Sequence, residues 1–148
     1  MDELALYNRA LADTEIRAIF NAGGAGKCPI DTTAPLVSSV SPVKAATKVP
    51  RNVQPTATFS EQMKPDTFTS ANVKMTNQNT KKRVPVGLSC DDPCETATID
   101  PYPSSPSTLL AKRTKYKVVI LGGAGGPQNL EGIPLEKSEV WTFTTGRR

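Results

Sequence analysis

Asp31-Thr32-Thr33-Ala34-Pro35 opens a stretch that Trp141-Thr142-Phe143-Thr144-Thr145-Gly146 closes. In the closing segment apolar and polar residues alternate, the two-residue period of a strand with one buried face. Trp141 and Phe143 share that face. Working back from it, Lys115–Leu121 is a second strongly apolar strand. Cys94–Asp100 and Val84–Cys90 form a hairpin around Asp91-Asp92-Pro93. Asn72–Asn77 points Val73 and Met75 inward. Val53–Ser60 does the same with Val53, Ala57 and Phe59, and Pro55 within it suggests a bulge or a sheet edge. Leu36–Ser41 is the first strand, ended by Pro42. Glu61–Phe68 reads as a helical turn that drops Met63 and Phe68 under the sheets. About seven short strands with turn signals between them predict an all-β fold, an antiparallel two-sheet sandwich over residues 36–146. Its core is expected to hold Phe59, Met63, Tyr116, Trp141 and Phe143.

The totals narrow the function classes. The chain has 148 residues, 37% hydrophobic, with 13 prolines. That suffices for one domain with a core of its own. No apolar run approaches the roughly 20 residues of a membrane helix, so no direct membrane insertion is expected. There is no histidine, which removes the usual general base and the commonest metal ligand. Serine and threonine without such a base are poor nucleophiles. The chain therefore reads as no enzyme, with no cofactor. Net charge is +4, but the basic residues are dispersed except for Lys81-Lys82-Arg83 and Lys112-Arg113, both in loops. No aromatic stacking pattern accompanies them, so nucleic acid is not the expected partner. Lys81, Lys82 and Arg83 remain candidates to contact an acidic surface polysaccharide or a host protein. The loop from Gly122 to Glu136 is a second candidate surface.

Cys90 and Cys94 flank a three-residue loop, close enough for the Cα separation of a disulfide, roughly 4.4–6.8 Å. A disulfide is the expected state and implies an oxidising compartment, extracellular or at a cell surface. Free thiols are the alternative. A metal site is a third, poorer one, for a lone C-x₃-C lacks a second ligand pair. Cys28 is left without an evident partner. Asp91 and Asp92 are read as turn chemistry and Glu61 as a cap or pairing group, with calcium as the sharper alternative for each.

Residues 1–22 differ from the rest. Leu11, Ile16, Ile19 and Phe20 fall at helical spacing, with Asp13 as the expected N-cap and Gly23-Gly24 as the stop. Residues 23–35 form a flexible linker. Gly23-Gly24-Ala25-Gly26-Lys27 fails as a phosphate loop, since Asn21 replaces the first glycine and Cys28 the Ser or Thr. Met1-Asp2-Glu3-Leu4 reads as a start inside a longer protein.

Two family resemblances accompany these readings. Asp2-Glu3, then Tyr7-Asn8-Arg9-Ala10-Leu11 and Glu15-Ile16, resemble the last strand and following helix of laminin-G-like, concanavalin-type jelly-roll domains. This implies that residues 1–22 are the tail of such a domain, whose sugar- and calcium-binding parts lie upstream. Asp31–Pro35, Val40-Ser41-Pro42, Val49-Pro50, Thr58-Phe59-Ser60-Glu61-Gln62-Met63, Tyr116 and Trp141–Thr145 resemble the bacterial Ig-like domains repeated in S-layer and other large surface proteins. The Cys90–Cys94 hairpin and the Gly122–Gly126 run depart from that family's usual pattern. The resemblance implies a structural or spacer module in a secreted or surface polypeptide, with neighbouring domains of the same chain as partners, and a monomer otherwise. Adhesion through the loops is the alternative. Beside the resemblance, Leu110–Tyr116 reads as a turn just before a strand that opens with Tyr116, whose hydroxyl can bond back to the main chain, as in the tyrosine corner of Ig-like sandwiches.

Overall fold

The computed structural model describes residues 10–14, 16–17 and 32–147. The chain divides into two units, Met1–Thr32 and Thr33–Arg148. In the first, Asp13, Thr14, Ile16 and Arg17 are helical, and the Ile16 N–H donates to the Ala12 carbonyl at 3.0 Å. Ala12 is therefore the residue at the cap, and Asp13 stands one position inside the helix. There its carboxylate still favours the positive end of the helix dipole. The cap predicted at Asp13 is displaced by one residue. The linker glycines and Cys28 lie outside the described residues.

The second unit is all β. Nine strands run in the order β1 (Val37–Ser41), β2 (Ala46–Val49), β3 (Thr56–Phe59), β4 (Val73–Asn77), β5 (Arg83–Val84), β6 (Val86–Cys90), β7 (Thr96–Pro101), β8 (Lys115–Ile120) and β9 (Glu139–Thr145). They form a four-stranded sheet, β1-β3-β7-β6, and a five-stranded sheet, β2-β9-β8-β4-β5. The two faces meet on Trp141, Tyr116, Phe143, Met63, Met75 and Ile99, all essentially without solvent contact. Phe59 is buried too and tilts against Phe68, centroids 5.4 Å apart. Tyr116 and Phe143 stack at 5.7 Å. The Trp141 indole N–H finds no acceptor among the described residues.

Three local features depart from the sequence reading. The run Val84–Cys90 is not one strand. Val84 pairs with Met75 in one sheet, while Val86–Cys90 pairs with β7 in the other. Pro85 stands at the crossing, where its missing N–H leaves no gap in either ladder. Val53–Ser60 is trimmed to Thr56–Phe59, and β3 lies between β1 and β7. Pro55 precedes the strand and marks neither a bulge nor an edge; its carbonyl accepts from Ile99 N–H at 2.8 Å. β2 was not anticipated. It pairs parallel with β9, so the sandwich is not wholly antiparallel.

The polypeptide enters and leaves the sandwich at opposite ends. Pro35 accepts a hydrogen bond from the Glu136 N–H at 2.9 Å, beside the start of β9. Gly146 follows the far end of β9 and donates to the Val49 carbonyl at 2.8 Å. The seven residues of β9 separate the two ends by roughly 20 Å at the usual strand rise.

Candidate functional site

The exit end carries a shallow hollow of about 870 Å³, walled by Val49, Pro50 and Leu109 and by the backbone of Thr144–Gly146. Four cationic residues line it: Lys48, Arg51, Arg113 and Arg147. No acidic or aromatic residue does. Two of the four hold left-handed backbone, Lys48 at φ 58° and Arg113 at φ 49°, which is uncommon away from glycine. Both are held there by neighbours. The Arg113 N–H donates to the Gly146 carbonyl at 3.0 Å. A Cβ on Gly146 would stand 3.3 Å from the Lys48 carbonyl oxygen, so the two segments meet most comfortably with glycine there. The Arg51 Nε donates to the Leu110 carbonyl at 2.6 Å. Lys48 and Arg51, Arg113 and Arg147 come from three separate stretches of the sequence; only the topology gathers them.

Behind the hollow lies a buried polar knot. Thr145 Oγ1 donates to the Ala111 carbonyl at 2.6 Å and accepts from the Thr114 N–H at 2.9 Å. Tyr116 hydroxyl accepts from the Ala111 N–H at 2.8 Å, the backward bond of a tyrosine corner. Both polar groups of residue 111 are thus clasped from β8 and β9. Burial pushes the Tyr116 phenol above its ordinary pKa, against the opposing pull of the Ala111 N–H.

The other candidates are scattered. Lys81 and Lys82 are exposed in the β4–β5 turn, Lys81 at φ 60°. Arg83 is exposed beside them, at the start of β5. Its guanidinium donates to the Ser70 carbonyl and lies 3.5 Å from that of Val73, bracing the start of β4. Cys90 and Cys94 form a disulfide with Cα atoms 5.1 Å apart. Asp91 Oδ1 accepts from the Glu95 and Thr96 N–H groups at 2.9 and 2.7 Å, closing the same turn. Glu61 Oε2 accepts from Asn129 Nδ2 at 2.8 Å, while Asn129 Oδ1 accepts from the Ile133 N–H at 2.7 Å. That fully buried asparagine organises the long loop between β8 and β9. Among the described residues no three His, Cys, Asp or Glu side chains gather around a metal position. No helix among them is long and apolar enough to cross a membrane.

A two-sheet sandwich with its tyrosine corner narrows the choice of family, and a model of the bacterial Ig-like domain matches residues 31–145. The chain belongs to the bacterial Ig-like domain family. Solved structures of the same fold include the N-terminal part of the bacterial S-layer protein SbsC. It is 20% identical with a TM-score of 0.55, over 77% of this chain and 24% of that one. The methionine-rich copper resistance protein PcoC from Escherichia coli is 17% identical with a TM-score of 0.55, over 76% and 99% of the two chains. The native conformation of Escherichia coli alpha-2-macroglobulin contributes a third at 14% identity and a TM-score of 0.55, over 88% and 7%. The Ig-like chain thus spans about a quarter of the S-layer structure it resembles. No curated protein matches it in sequence. At these identities the likeness is one of fold. The Ig-like chain has three methionines and no histidine, and Met63 and Met75 are both sealed in its core.

Proposed function

We propose that the chain is a non-catalytic spacer module in a bacterial secreted or cell-surface multidomain protein. The observation that carries this reading is the placement of entry and exit at opposite ends of the sandwich. A module of that geometry adds its own length to a polypeptide, whereas one with adjacent termini adds a side branch. A buried core without a convergent set of titratable groups supports the same role. The string Tyr7–Leu11 supports a jelly-roll domain upstream, which the spacer would hold away from the surface. The test is small-angle scattering, in high salt, of two copies of the chain joined in series. The maximum dimension should grow by about one sandwich length per copy. Copies folded back side by side would refute the spacer.

Adhesion is the second reading, favoured by the exposed Lys81 and Lys82 standing at the same end as the cationic hollow. It requires salt-sensitive binding to an anionic polysaccharide or host protein that is lost in Lys81→Ala/Lys82→Ala/Arg83→Ala. A glycan array without hits would leave the spacer.

A further inference from the structure

The charges of the sandwich are sorted by end. Lys48, Arg51, Arg113 and Arg147 rim the hollow at the exit. Lys81 and Lys82 stand at that end as well, since Asn77 N–H donates to the Lys82 carbonyl and Gln78 N–H to that of Lys115. Lys112 and Lys115 flank the segment whose Thr114 carbonyl receives the Thr145 N–H. Asp100 is the acid at this end, and Gln54 Nε2 already donates to its Oδ1 at 2.9 Å. The entry end is the reverse. Asp66, Glu131 and Glu136 are exposed around the loop that contacts Pro35, with Glu61 beneath them. Asp91, Asp92 and Glu95 are exposed on the neighbouring β6–β7 turn, which reaches this end through the Met63 N–H bond to the Cys94 carbonyl. Lys64 and Lys137 are the cations among them. Glu139 is neutralised by Lys44, 2.7 Å away.

The two ends also match in apolar surface. Leu130, next to Glu131, is 47% exposed at the entry end, and Leu109 is 43% exposed at the wall of the exit hollow. An apolar tip ringed by acids faces one way, and an apolar hollow ringed by cations faces the other.

We propose that the exit hollow receives the acidic entry end of a second copy of this chain, with Leu130 seated against Val49, Pro50 and Leu109 and Glu131 and Glu136 facing the cations. Sequence alone implied a monomer, because the sorting of charge is invisible until the strands are placed. A contact between two different patches at opposite ends does not close into a symmetric dimer; it propagates as an open row. A second copy suits the hollow better than a polysaccharide does, for the hollow offers no aromatic face for a sugar to stack on. The inference builds on the serial geometry of the spacer reading. Each contact is small and mostly rim charge, so it is weak and governed by salt.

The test is sedimentation velocity on the full chain over a concentration series. Ionic strength is set at about 0.01 M and then about 1 M, where screening lengths are roughly 30 and 3 Å. Concentration-dependent association is expected at low salt and loss of it at high salt. Lys48→Glu/Arg147→Glu and Glu131→Lys/Glu136→Lys should each weaken association about tenfold or more, a change of about 1.4 kcal/mol. All four positions are exposed, and unchanged melting temperatures will show that the variants fold. Mixing the two variants should restore association, since one then presents acid and the other base. A chain monomeric at every concentration in low salt would overturn the inference, as would reversals without effect or a mixture without rescue. An extended serial pair that shows no self-association removes this inference and leaves the spacer standing.

Discussion

Replacing Thr145 by valine keeps its shape and deletes one hydroxyl. That hydroxyl is at the centre of the exit-end knot, in a side chain only 2% exposed. Its loss strands the Thr114 N–H, which belongs to a buried residue. An unsatisfied buried donor costs about 1–3 kcal/mol. The Ala111 carbonyl loses its donor at 2.6 Å as well, but residue 111 is exposed and water replaces most of that bond. Greater apolarity of valine offsets a fraction of the loss. The sum is about 1–3 kcal/mol, a sizeable part of the 5–15 kcal/mol that holds a typical domain. Urea unfolding is the assay, and the single tryptophan, Trp141, is its reporter. The midpoint should fall with the slope unchanged. Because Tyr116 clasps the N–H of the same residue 111, Tyr116→Phe and Thr145→Val should not add independently; a coupling of about 0.5 kcal/mol or more is expected. A Thr145→Val midpoint within about 0.5 kcal/mol of wild type would refute the claim that the hydroxyl locks β9 to the start of β8.

Trp141→Ala should cost about 3–5 kcal/mol and leave little folded protein at room temperature; dispersed, sharp amide resonances would count against it. Tyr116 has a raised pKa from burial, so the folded state holds its proton more tightly than the unfolded state does. Its share of stability is complete below the ordinary value of about 10 and declines as pH rises toward the folded value. Tyr116→Phe should flatten that alkaline loss in a pH series of melting curves. The Cys90–Cys94 loop is short, so reduction removes at most about 2 kcal/mol by chain entropy. The bonds from Glu95 and Thr96 to Asp91 Oδ1 persist, and Cys90→Ser/Cys94→Ser should still melt cooperatively. Gly122→Ala places a methyl 2.6 Å from the Lys137 Cα and Ser138 nitrogen. Overpacking of that kind costs about 1–3 kcal/mol; an unchanged melting temperature would show that the start of β9 yields.

What the sequence made legible follows from period. Phe59, Met75, Tyr116, Trp141 and Phe143 repeat with the pleat, and a pleat with one apolar face announces which residues meet in the middle. The features that escaped reading depend on partners far along the chain. β2 is four residues with two of them exposed and polar, and only parallel pairing with β9, nearly a hundred residues later, makes it a strand. Val84–Cys90 looks continuous because a change of sheet at Pro85 leaves the alternation intact. The exit hollow was hidden for the same reason: Lys48 lies in β2, Arg51 and Arg113 in separate turns and Arg147 beyond β9, and nothing local signals that they share a rim. The basic triplet shows the converse. Lys81-Lys82-Arg83 is a patch in the sequence, and all three stay exposed, but the Arg83 guanidinium is already engaged with the Ser70 and Val73 carbonyls.

The treatment of the sheet edges bears on how such modules assemble. Open edge strands invite pairing with a second chain unless something blunts them. Each of the four edges here is blunted. β1 carries a register shift between Val37 and Ser39. β2 is four residues long, irregular between Ala46 and Val49, and has exposed Lys48 in left-handed backbone. β5 is two residues long and runs straight into Pro85. β6 ends in a turn tied by the disulfide and by Asp91. Lateral growth by strand addition is therefore resisted on every side, while the two ends keep exposed leucines and opposite charge. Edge pairing is disfavoured along the flanks, and opposite charge favours contact end to end. A spacer gains from that division, because modules that stack in line lengthen the polypeptide and modules that zip side by side would shorten it.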